Sequence, residues 1–344
     1  MNQENQIAGL CEVSAFIQNF LAKEPADYNE TDLDFKAVLK KSENENPWFT
    51  QENQRFALKQ WSSLLTEQNL KEWLSDYRTA EQSKRVGLIL AGNIPMVGFH
   101  DVLAVVLSNH IPVIKLSSKD RHMLPFLLEM WNEKSGGTVP FETVERLQDF
   151  NAVIATGSNN TARYLEFYFR EHLSIIRKNR TSVAVLRGDE TPEELQLLAE
   201  DIFRYYGLGC RNVTRILMPD DFLVDRLFEN FIGFKDVINH NKYANNYEYN
   251  RAVYLLNLEQ FWDNNFVMLK EDDKLFSPLS VINVSRYTDL DDVKKFLAKN
   301  EQDIQTVVAK SELGLNSIGF GEAQNPGLDT YADNVDTMRF LEVI

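Results

Sequence analysis

The sequence of 344 residues is poor in cysteine, glycine and proline, and it lacks an excess of basic residues. Its two cysteines, Cys11 and Cys210, are too few for a disulfide framework or a thiolate metal site. Fifteen glycines and ten prolines exclude a collagen-like or low-complexity chain. The 36 basic residues against 51 acidic ones give a formal net charge of −15. That charge argues against nucleic acid and against an anionic membrane surface as partners.

Long apolar runs are also missing. The richest ones, at 86–94 and 102–107, are much shorter than a membrane span. The first residues are polar and acidic, without the basic and apolar regions of a signal peptide. The five histidines do not cluster at the spacing of metal ligands. We therefore expect a cytoplasmic, reduced protein without a membrane span or a metal.

The pattern of apolar residues changes at residue 85. Helical stripes fill the first 84 residues. From there, short apolar runs predict strands at 85–90, 111–115, 151–155, 182–186, 214–218, 253–256, 279–284 and 304–309. Helical patterns separate most of these runs, for example at 192–206. This alternation predicts an α/β fold with parallel strands.

Cys210 is the residue with the clearest capacity for chemistry. It follows the predicted helix 192–206, in a Tyr-Gly-Leu-Gly-Cys loop. The glycines allow the backbone to approach a ligand closely or to take a positive φ. A thiol there can act as a nucleophile whose oxyanion is held by the cysteine's own backbone N–H. The alternative is a buried structural cysteine, which is what we expect of Cys11 on its apolar helical stripe.

Three predicted strands are followed by polar turns. Asn93 lies in a Gly-Asn-Ile-Pro turn, where it either faces a ligand at the sheet edge or only shapes the turn. Lys115 begins a Lys-Leu-Ser-Ser-Lys-Asp-Arg stretch, which is either an anion site or a solvated helix start. Thr156, Gly157 and Ser158 join a strand to a helix. Such a turn either binds phosphate on exposed N–H groups or simply caps the helix.

The order of these features along the chain resembles the aldehyde dehydrogenase superfamily. The series is Asn-x-Pro after a strand, strand-Lys-x-Ser, Thr-Gly-Ser before a helix, Phe-x-x-x-Gly-x-x-Cys ending at Cys210, and Leu-Phe-x-Pro around Phe276. Within the superfamily, residues 92–98 and 111–120 are most similar to the bacterial long-chain acyl-CoA reductases of the LuxC type. The resemblance covers about residues 85–344.

The resemblance implies a role for each matched residue. Cys210 matches the catalytic nucleophile, and Asn93 matches the asparagine whose amide holds the oxyanion. The residues that match the cofactor site are Lys115, Ser118, Thr156, Gly157, Ser158 and Phe276. The implied architecture is a two-domain aldehyde-dehydrogenase-like fold. Its Rossmann-like cofactor domain spans 1–181, begins with a helical segment and receives residues 316–344, and its catalytic thiol domain spans 182–315.

One departure from the superfamily pattern bears on the reaction. Aldehyde-oxidising members carry a water-activating glutamate in a stretch that corresponds here to 174–180, which contains no acid. A missing base fits reduction better than oxidation, because an acyl thioester must not be hydrolysed before it is reduced. The same stretch holds Arg177, Lys178 and Arg180, which either meet a CoA phosphate or form a solvated face.

The resemblance therefore implies NAD(P)H-dependent reduction of a long-chain fatty acyl-CoA to the aldehyde through an acyl thioester on Cys210. Ser118 stands where NAD-preferring members often have a glutamate, which predicts NADPH as the cofactor, with NADH as the alternative. Two other functions stay open. One is a cysteine-dependent acyl transferase or thioesterase that uses no nicotinamide, and the other is a non-catalytic acyl-binding subunit. A homo-oligomer is among the open quaternary states.

Overall fold

The computed structural model describes residues 2–344, which form two compact units, each built around its own β-sheet. The first unit comprises the residues up to Lys178 together with Gly327–Ile344, and the second comprises Asn179–Pro326. The α-helices are α1 (Asn2–Ala22), α2 (Glu30–Glu45), α3 (Gln51–Leu64), α4 (Glu67–Leu74), α5 (Phe99–Leu107), α6 (Met123–Lys134), α7 (Asn159–Tyr168), α8 (Pro192–Phe203), α9 (Asp225–Phe231), α10 (Asn241–Leu256), α11 (Leu290–Lys299) and α12 (Thr337–Glu342).

The strands and short 3-10 helices complete both units. The strands are β1 (Arg85–Ile89), β2 (Ile111–Lys115), β3 (Glu142–Thr143), β4 (Ala152–Thr156), β5 (Leu173–Arg177), β6 (Thr181–Val185), β7 (Val213–Pro219), β8 (Trp262–Asp263), β9 (Met268–Glu271), β10 (Val281–Tyr287) and β11 (Ile304–Ala309). The 3-10 helices are Pro25–Asp27, Arg204–Gly207, Ile232–Asn239, Ser311–Leu313 and Ala332–Asn334.

The sheet of the first unit has five parallel strands in the order β3-β2-β1-β4-β5. Its central strands are buried on both faces, as Val86, Leu88 and Ile154 show. That double burial explains why they read as continuous apolar runs. The strand order is that of a doubly wound sheet, in which ligands bind at the carboxyl ends of the strands.

The N-terminal helices belong to this first unit. The apolar stripe of α1, including Leu10, Val13 and Ile17, is fully buried in the same core as the sheet. Gly9 lies where α1 meets the end of α6, and a Cβ there would collide with Ser135. The amino-terminal segment is therefore an integral layer of the unit rather than a separate appendage.

The second unit contains a six-stranded sheet in the order β11-β6-β7-β10-β9-β8, parallel except for β8. The expected domain boundaries were 181/182 and 315/316, whereas the structure divides the chain after Lys178 and after Pro326. The first boundary differs because Arg180 donates to the Ile304 carbonyl and β6 already begins at Thr181. The second differs because the N–H groups of Gly321 and Ala323 donate to the buried Asp201 carboxylate on α8.

Most predicted elements are confirmed, but one predicted strand is absent and four strands were not predicted. The strand expected at 253–256 is wrong, because those residues form the last turn of α10. The strands β3, β5, β8 and β9 were not predicted. Within residues 2–344, no helix is both long and apolar enough to cross a bilayer.

Candidate functional site

The turns singled out in the first half of the chain meet at one edge of the first sheet. In the parallel register, Ile89 of β1 pairs with Lys115 of β2 and with Ala155 of β4. Asn93 and the turn beginning at Thr156 therefore emerge at the same edge as Lys115. Asn93 is half-buried and Lys115 is exposed. This is the edge where doubly wound sheets bind their ligands.

The loop that carries Asn93 is held by a buried carboxylate. Met96 has a left-handed backbone with φ 61°, and its N–H donates to Asp120 Oδ2 at 3.2 Å. Gly92 packs so closely on Ser117 that a Cβ would lie 2.5 Å from the serine Oγ. These contacts join the β1–α5 loop to the β2–α6 loop, which carries Ser118.

Asp120 was not foreseen from the sequence. Only 8% of the residue is exposed, and its Oδ1 is buried without a hydrogen-bond partner among the described residues. Burial raises the pKa of Asp120 to about 7, although the Met96 N–H opposes the shift. A carboxyl with this pKa is about half protonated at pH 7. A lone acid in a stretch of lysines and serines gives no sign in the sequence of such burial.

The turn before α7 is built around glycine and serine. A Cβ on Gly157 would lie 2.8 Å from Thr161 Cγ2. Ser158 caps α7, since its Oγ accepts from the Thr161 N–H at 3.3 Å. The capping interpretation is therefore observed. The first turn of α7 is also exposed, so this edge has the positive end of a helix dipole open to an anion.

In the second unit, Cys210 follows a segment of left-handed backbone. Tyr205, Tyr206 and Gly207 are consecutive left-handed residues, with φ of 55°, 59° and 78°. Each of the two tyrosines costs about 1–2 kcal/mol in that conformation. Strain of this kind persists only where surrounding contacts enforce it, and it is concentrated at functional sites. Cys210 itself is half-buried, and its carbonyl accepts from Ser182 Oγ at 3.2 Å.

A cation lies beside the thiol. Arg211, the next residue in the chain, is half-buried; desolvation lowers its pKa, while a charge interaction with Cys210 acts in the opposite direction. An arginine next to a cysteine is one of the environments in which the reactive thiolate form is favoured.

The Phe276 loop is tied to the same edge of the second sheet as Cys210. Buried Arg215 on β7 donates to the carbonyls of Asp272 and Lys274, at 2.7 and 2.6 Å. The Phe276 carbonyl accepts from Asn283 on β10, at 3.1 Å, and the residue is 40% exposed. The loops before β7 and β10 therefore meet at the amino ends of two paired strands. Arg215 was missed, although a charge inside an apolar strand was a usable signal.

The cations of the stretch 177–180 do not form one exposed cluster. Arg177 is buried at the end of β5, where it pairs with Asp101 at 2.6 Å and donates to Thr337. Lys178 pairs with Glu166 at 2.8 Å. Neither of the two alternatives, a CoA phosphate site or a solvated face, fits Arg177, because its side chain is buried and paired inside the first unit.

Comparison with known proteins identifies the fold. No protein-family model matches the sequence, and no curated protein matches it significantly. Among solved structures, aldehyde dehydrogenase 21 from Physcomitrella patens, in complex with the reaction product succinate, has a TM-score of 0.65 at 11% identity, covering 100% of this chain and 84% of that one. The aldehyde dehydrogenase of Mycobacterium tuberculosis complexed with NAD+ has a TM-score of 0.60 at 15% identity, over 90% and 73% of the two chains.

A third structure, the NAD+ complex of an aldehyde dehydrogenase from Bacillus cereus, has a TM-score of 0.61 at 12% identity, over 90% of this chain and 72% of that one. This chain has the fold of the aldehyde dehydrogenases. The fold class expected from the order of the motifs is thereby confirmed. At this level of identity the similarity concerns the fold, so the roles of Cys210, Asn93 and the residues around the first sheet remain proposals.

Proposed function

We propose that this protein is a nicotinamide-dependent reductase that converts a long-chain fatty acyl-CoA into the aldehyde through an acyl thioester on Cys210. The observation that carries the proposal is the Cys210 loop. It combines a strained left-handed turn, a neighbouring arginine and a glycine immediately before the thiol. The aldehyde dehydrogenase fold and the LuxC-type motifs around Asn93 and Lys115 support it.

In this proposal the Cys210 thiolate attacks the thioester carbonyl. The carbonyl becomes a tetrahedral oxyanion, which the Cys210 N–H and the Asn93 side-chain amide stabilise. One such donor contributes roughly 3 kcal/mol. Collapse of the oxyanion breaks the bond to the CoA sulfur, and CoA leaves as the thiol after it takes up a proton. The acyl group then remains on Cys210 as a second thioester.

The residues of the first unit fit a nicotinamide dinucleotide. Gly157 and the exposed first turn of α7 suit a pyrophosphate, and the exposed Lys115 and Ser118 suit the adenosine ribose and its 2′-phosphate. A bound reduced nicotinamide supplies the hydride that converts the acyl thioester into aldehyde and free thiolate. We assign Phe276, on the loop next to Cys210, to the nicotinamide side of the site. The cofactor we propose is NADPH.

The residues at the position of the superfamily's water-activating glutamate favour reduction over hydrolysis. The corresponding stretch contains β5, where Arg177 is engaged with Asp101 and Thr337. A buried arginine held by a carboxylate cannot accept a proton from water. An acyl thioester on Cys210 would therefore survive long enough to be reduced.

A single assay separates this proposal from its alternatives. The protein is mixed with a long-chain acyl-CoA and NADPH, and nicotinamide absorbance is followed together with the release of free CoA. A reductase changes both signals. Release of CoA without NADPH oxidation would indicate a transferase or thioesterase, and no change in either signal would favour an acyl-binding subunit.

The nucleophile can be tested without the cofactor. We expect Cys210→Ala to abolish the acyl adduct that forms with acyl-CoA alone, because no other thiolate is presented on such a loop. Cys11→Ala is the matched control and should retain the adduct, since burial raises the pKa of the Cys11 thiol. Intact-mass spectrometry measures both. An adduct that persists on the Cys210→Ala protein contradicts the mechanism.

A further inference from the structure

One fully buried asparagine links the end of α8 to the loop that carries Cys210. The Nδ2 of Asn212 donates to three carbonyls, those of Asp201 at 3.1 Å, Ile202 at 3.1 Å and Arg204 at 2.8 Å. Its Oδ1 accepts from the Gly209 N–H at 2.7 Å. None of the residue is exposed to solvent. Both ends of the amide are thus engaged, one with a helix and the other with the residue before the thiol.

The position of this amide explains how the strained turn is maintained. The last carbonyls of a helix have no partner within the helix, and burying them unsatisfied is costly. At the end of α8 the chain turns left-handed, so the following residues cannot continue the helical hydrogen bonds. The side chain of Asn212, which follows the turn in the chain, donates to these carbonyls instead. In doing so it joins the two ends of the segment 204–209.

The backbone of Asn212 strengthens the link. Its N–H donates to the Gly209 carbonyl at 3.1 Å, and its own carbonyl accepts from the Ser182 N–H at 3.1 Å on β6. Gly209 therefore contacts Asn212 through both its N–H and its carbonyl, and Cys210 lies within this closed loop. A shift of Gly209 would move the Cys210 N–H and its sulfur together.

We propose that Asn212 is a positioning residue for Cys210: its side-chain amide ties the Gly209 N–H to the end of α8 and so fixes the loop that presents the thiol. This inference rests on the proposed function in one respect, namely that Cys210 is the group acylated. Asn212 contacts neither substrate nor thiol in this role. It acts through the backbone of Gly209.

The test compares two reactions of the same thiol, in a Cys11→Ala background so that Cys210 is the sole cysteine. Acylation by a long-chain acyl-CoA requires the thiolate and the oxyanion donors in register, whereas alkylation by iodoacetamide requires only an accessible thiolate. The ratio of the two rate constants cancels changes in the thiolate fraction. Gln54→Ala is the control, because it removes a fully buried amide in α3 of the first unit that also has two bonds to carbonyls, those of Leu39 and Phe49.

We expect Asn212→Ala to lower the acylation-to-alkylation ratio by about 10-fold to 100-fold, the effect of misplacing a reacting group by about 1 Å. The ratio in Gln54→Ala should stay within about threefold of the parent. Asn212→Asp keeps an oxygen for the Gly209 N–H but loses the donors to α8, so this variant also breaks the link to the helix and its ratio should fall as well. An unchanged ratio in Asn212→Ala, or in Asn212→Asp if the alanine variant does not fold, overturns the inference.

Hydrogen exchange provides a readout that needs no substrate. Peptides covering 204–212 should exchange faster in Asn212→Ala, or in Asn212→Asp if the alanine variant does not fold, and the rest of the second unit should be unchanged. Unchanged exchange in these peptides also overturns the inference. If the parent forms no acyl adduct at all, the proposed function fails, and the exchange measurement alone decides the role of Asn212.

Discussion

Asn93 shows what a single residue contributes to this site and how far the sequence could identify it. Its place after the first strand and before Ile-Pro pointed to the ligand-binding edge of the sheet, and the structure places it there, half-buried. The contacts that hold its loop were not visible in the sequence. They come from Asp120 and Asn46, the latter donating to the carbonyls of Gly92 and Lys119 at 3.4 and 3.3 Å.

We predict that Asn93→Ala lowers kcat by roughly two to three orders of magnitude while the protein stays folded, because one oxyanion donor is lost. The matched control is Asn109→Ala, a second turn asparagine of the first unit, which has φ 69° and donates to the Ala80 carbonyl. The control should lose stability but keep its turnover. Steady-state kinetics at saturating substrate and a thermal unfolding curve distinguish the two. Near-normal turnover in a folded Asn93→Ala protein would mean that Asn93 only shapes its turn.

Asp120 gives the stability of the first unit a pH dependence. Its pKa is about 7 in the folded chain and about 3.8 when unfolded. Between these values the folded state keeps a proton that the unfolded state has lost, so the free energy of unfolding falls as pH rises from about 4 to about 7. The full loss is at most about 4 kcal/mol, since each pKa unit corresponds to about 1.4 kcal/mol.

We predict that Asp120→Asn removes this pH dependence, because the amide is neutral throughout and its oxygen can still accept from the Met96 N–H. Denaturant unfolding of wild type and variant near pH 5 and near pH 8 measures the effect. The stability of the variant relative to wild type should be greater at the higher pH than at the lower. If the difference in free energy of unfolding between variant and wild type is the same at both pH values, Asp120 is already ionised at the lower pH.

At the scale of elements, strands buried on both faces were predictable and weakly apolar ones were not. The run at 85–90 could be assigned because its core residues are buried on both sides of the sheet. In contrast, β9 has the sequence Met-Leu-Lys-Glu, with only its first two residues buried, and gives no two-sided run. The run at 253–256 is apolar because it ends α10, whose earlier turns are polar and aromatic. Periodicity in so short a window cannot separate a strand from a buried helix end.

The turn before α7 yields a prediction at this scale. Gly157→Ala places a Cβ 2.8 Å from Thr161 Cγ2, so Thr161 must move and the Ser158 cap is disturbed. We expect the Kd for the nicotinamide cofactor to rise by about tenfold or more, the value of one hydrogen bond to a charged group. Gly233→Ala is the control, since a Cβ there meets no heavy atom within 4 Å. Titration of protein fluorescence measures both, and an unchanged Kd in Gly157→Ala would remove the pyrophosphate from this turn.

At the scale of the whole molecule, the chemistry-bearing residues could be assigned to two units, but their boundaries could not be placed. Residues 316–326 were expected with the first unit. They belong to the second because Asp201, buried on α8, accepts from Gly321 and Ala323. The carboxylate and the two N–H groups are about 120 residues apart in the sequence. Such a contact produces no periodic pattern of residues from which it could be predicted. The net charge and the positions of charged residues, in contrast, can be read directly from the sequence.

An acidic protein that binds an anion must do so through local cations, and this leads to the last prediction. Lys115, Ser118 and Lys119 are exposed at the edge of the first sheet, against a net charge of −15. Arg121 contributes less, because Glu45 lies 3.7 Å from its Nε. A 2′-phosphate met by a lysine and a hydroxyl gains charge-assisted hydrogen bonds that NADH cannot form. We therefore expect kcat/KM to favour NADPH over NADH by at least about tenfold at low salt.

Salt and one substitution test this preference independently. Exposed charges are screened over a Debye length of about 10 Å at 0.1 M salt, so the NADPH preference should shrink as ionic strength rises. NADH is the internal control, because its kcat/KM should change less over the same range. Ser118→Glu adds a carboxylate where the 2′-phosphate would lie and should reverse the preference. Equal salt dependence for both cofactors, together with an unchanged preference in Ser118→Glu, would show that the adenosine ribose is bound away from the β2–α6 loop.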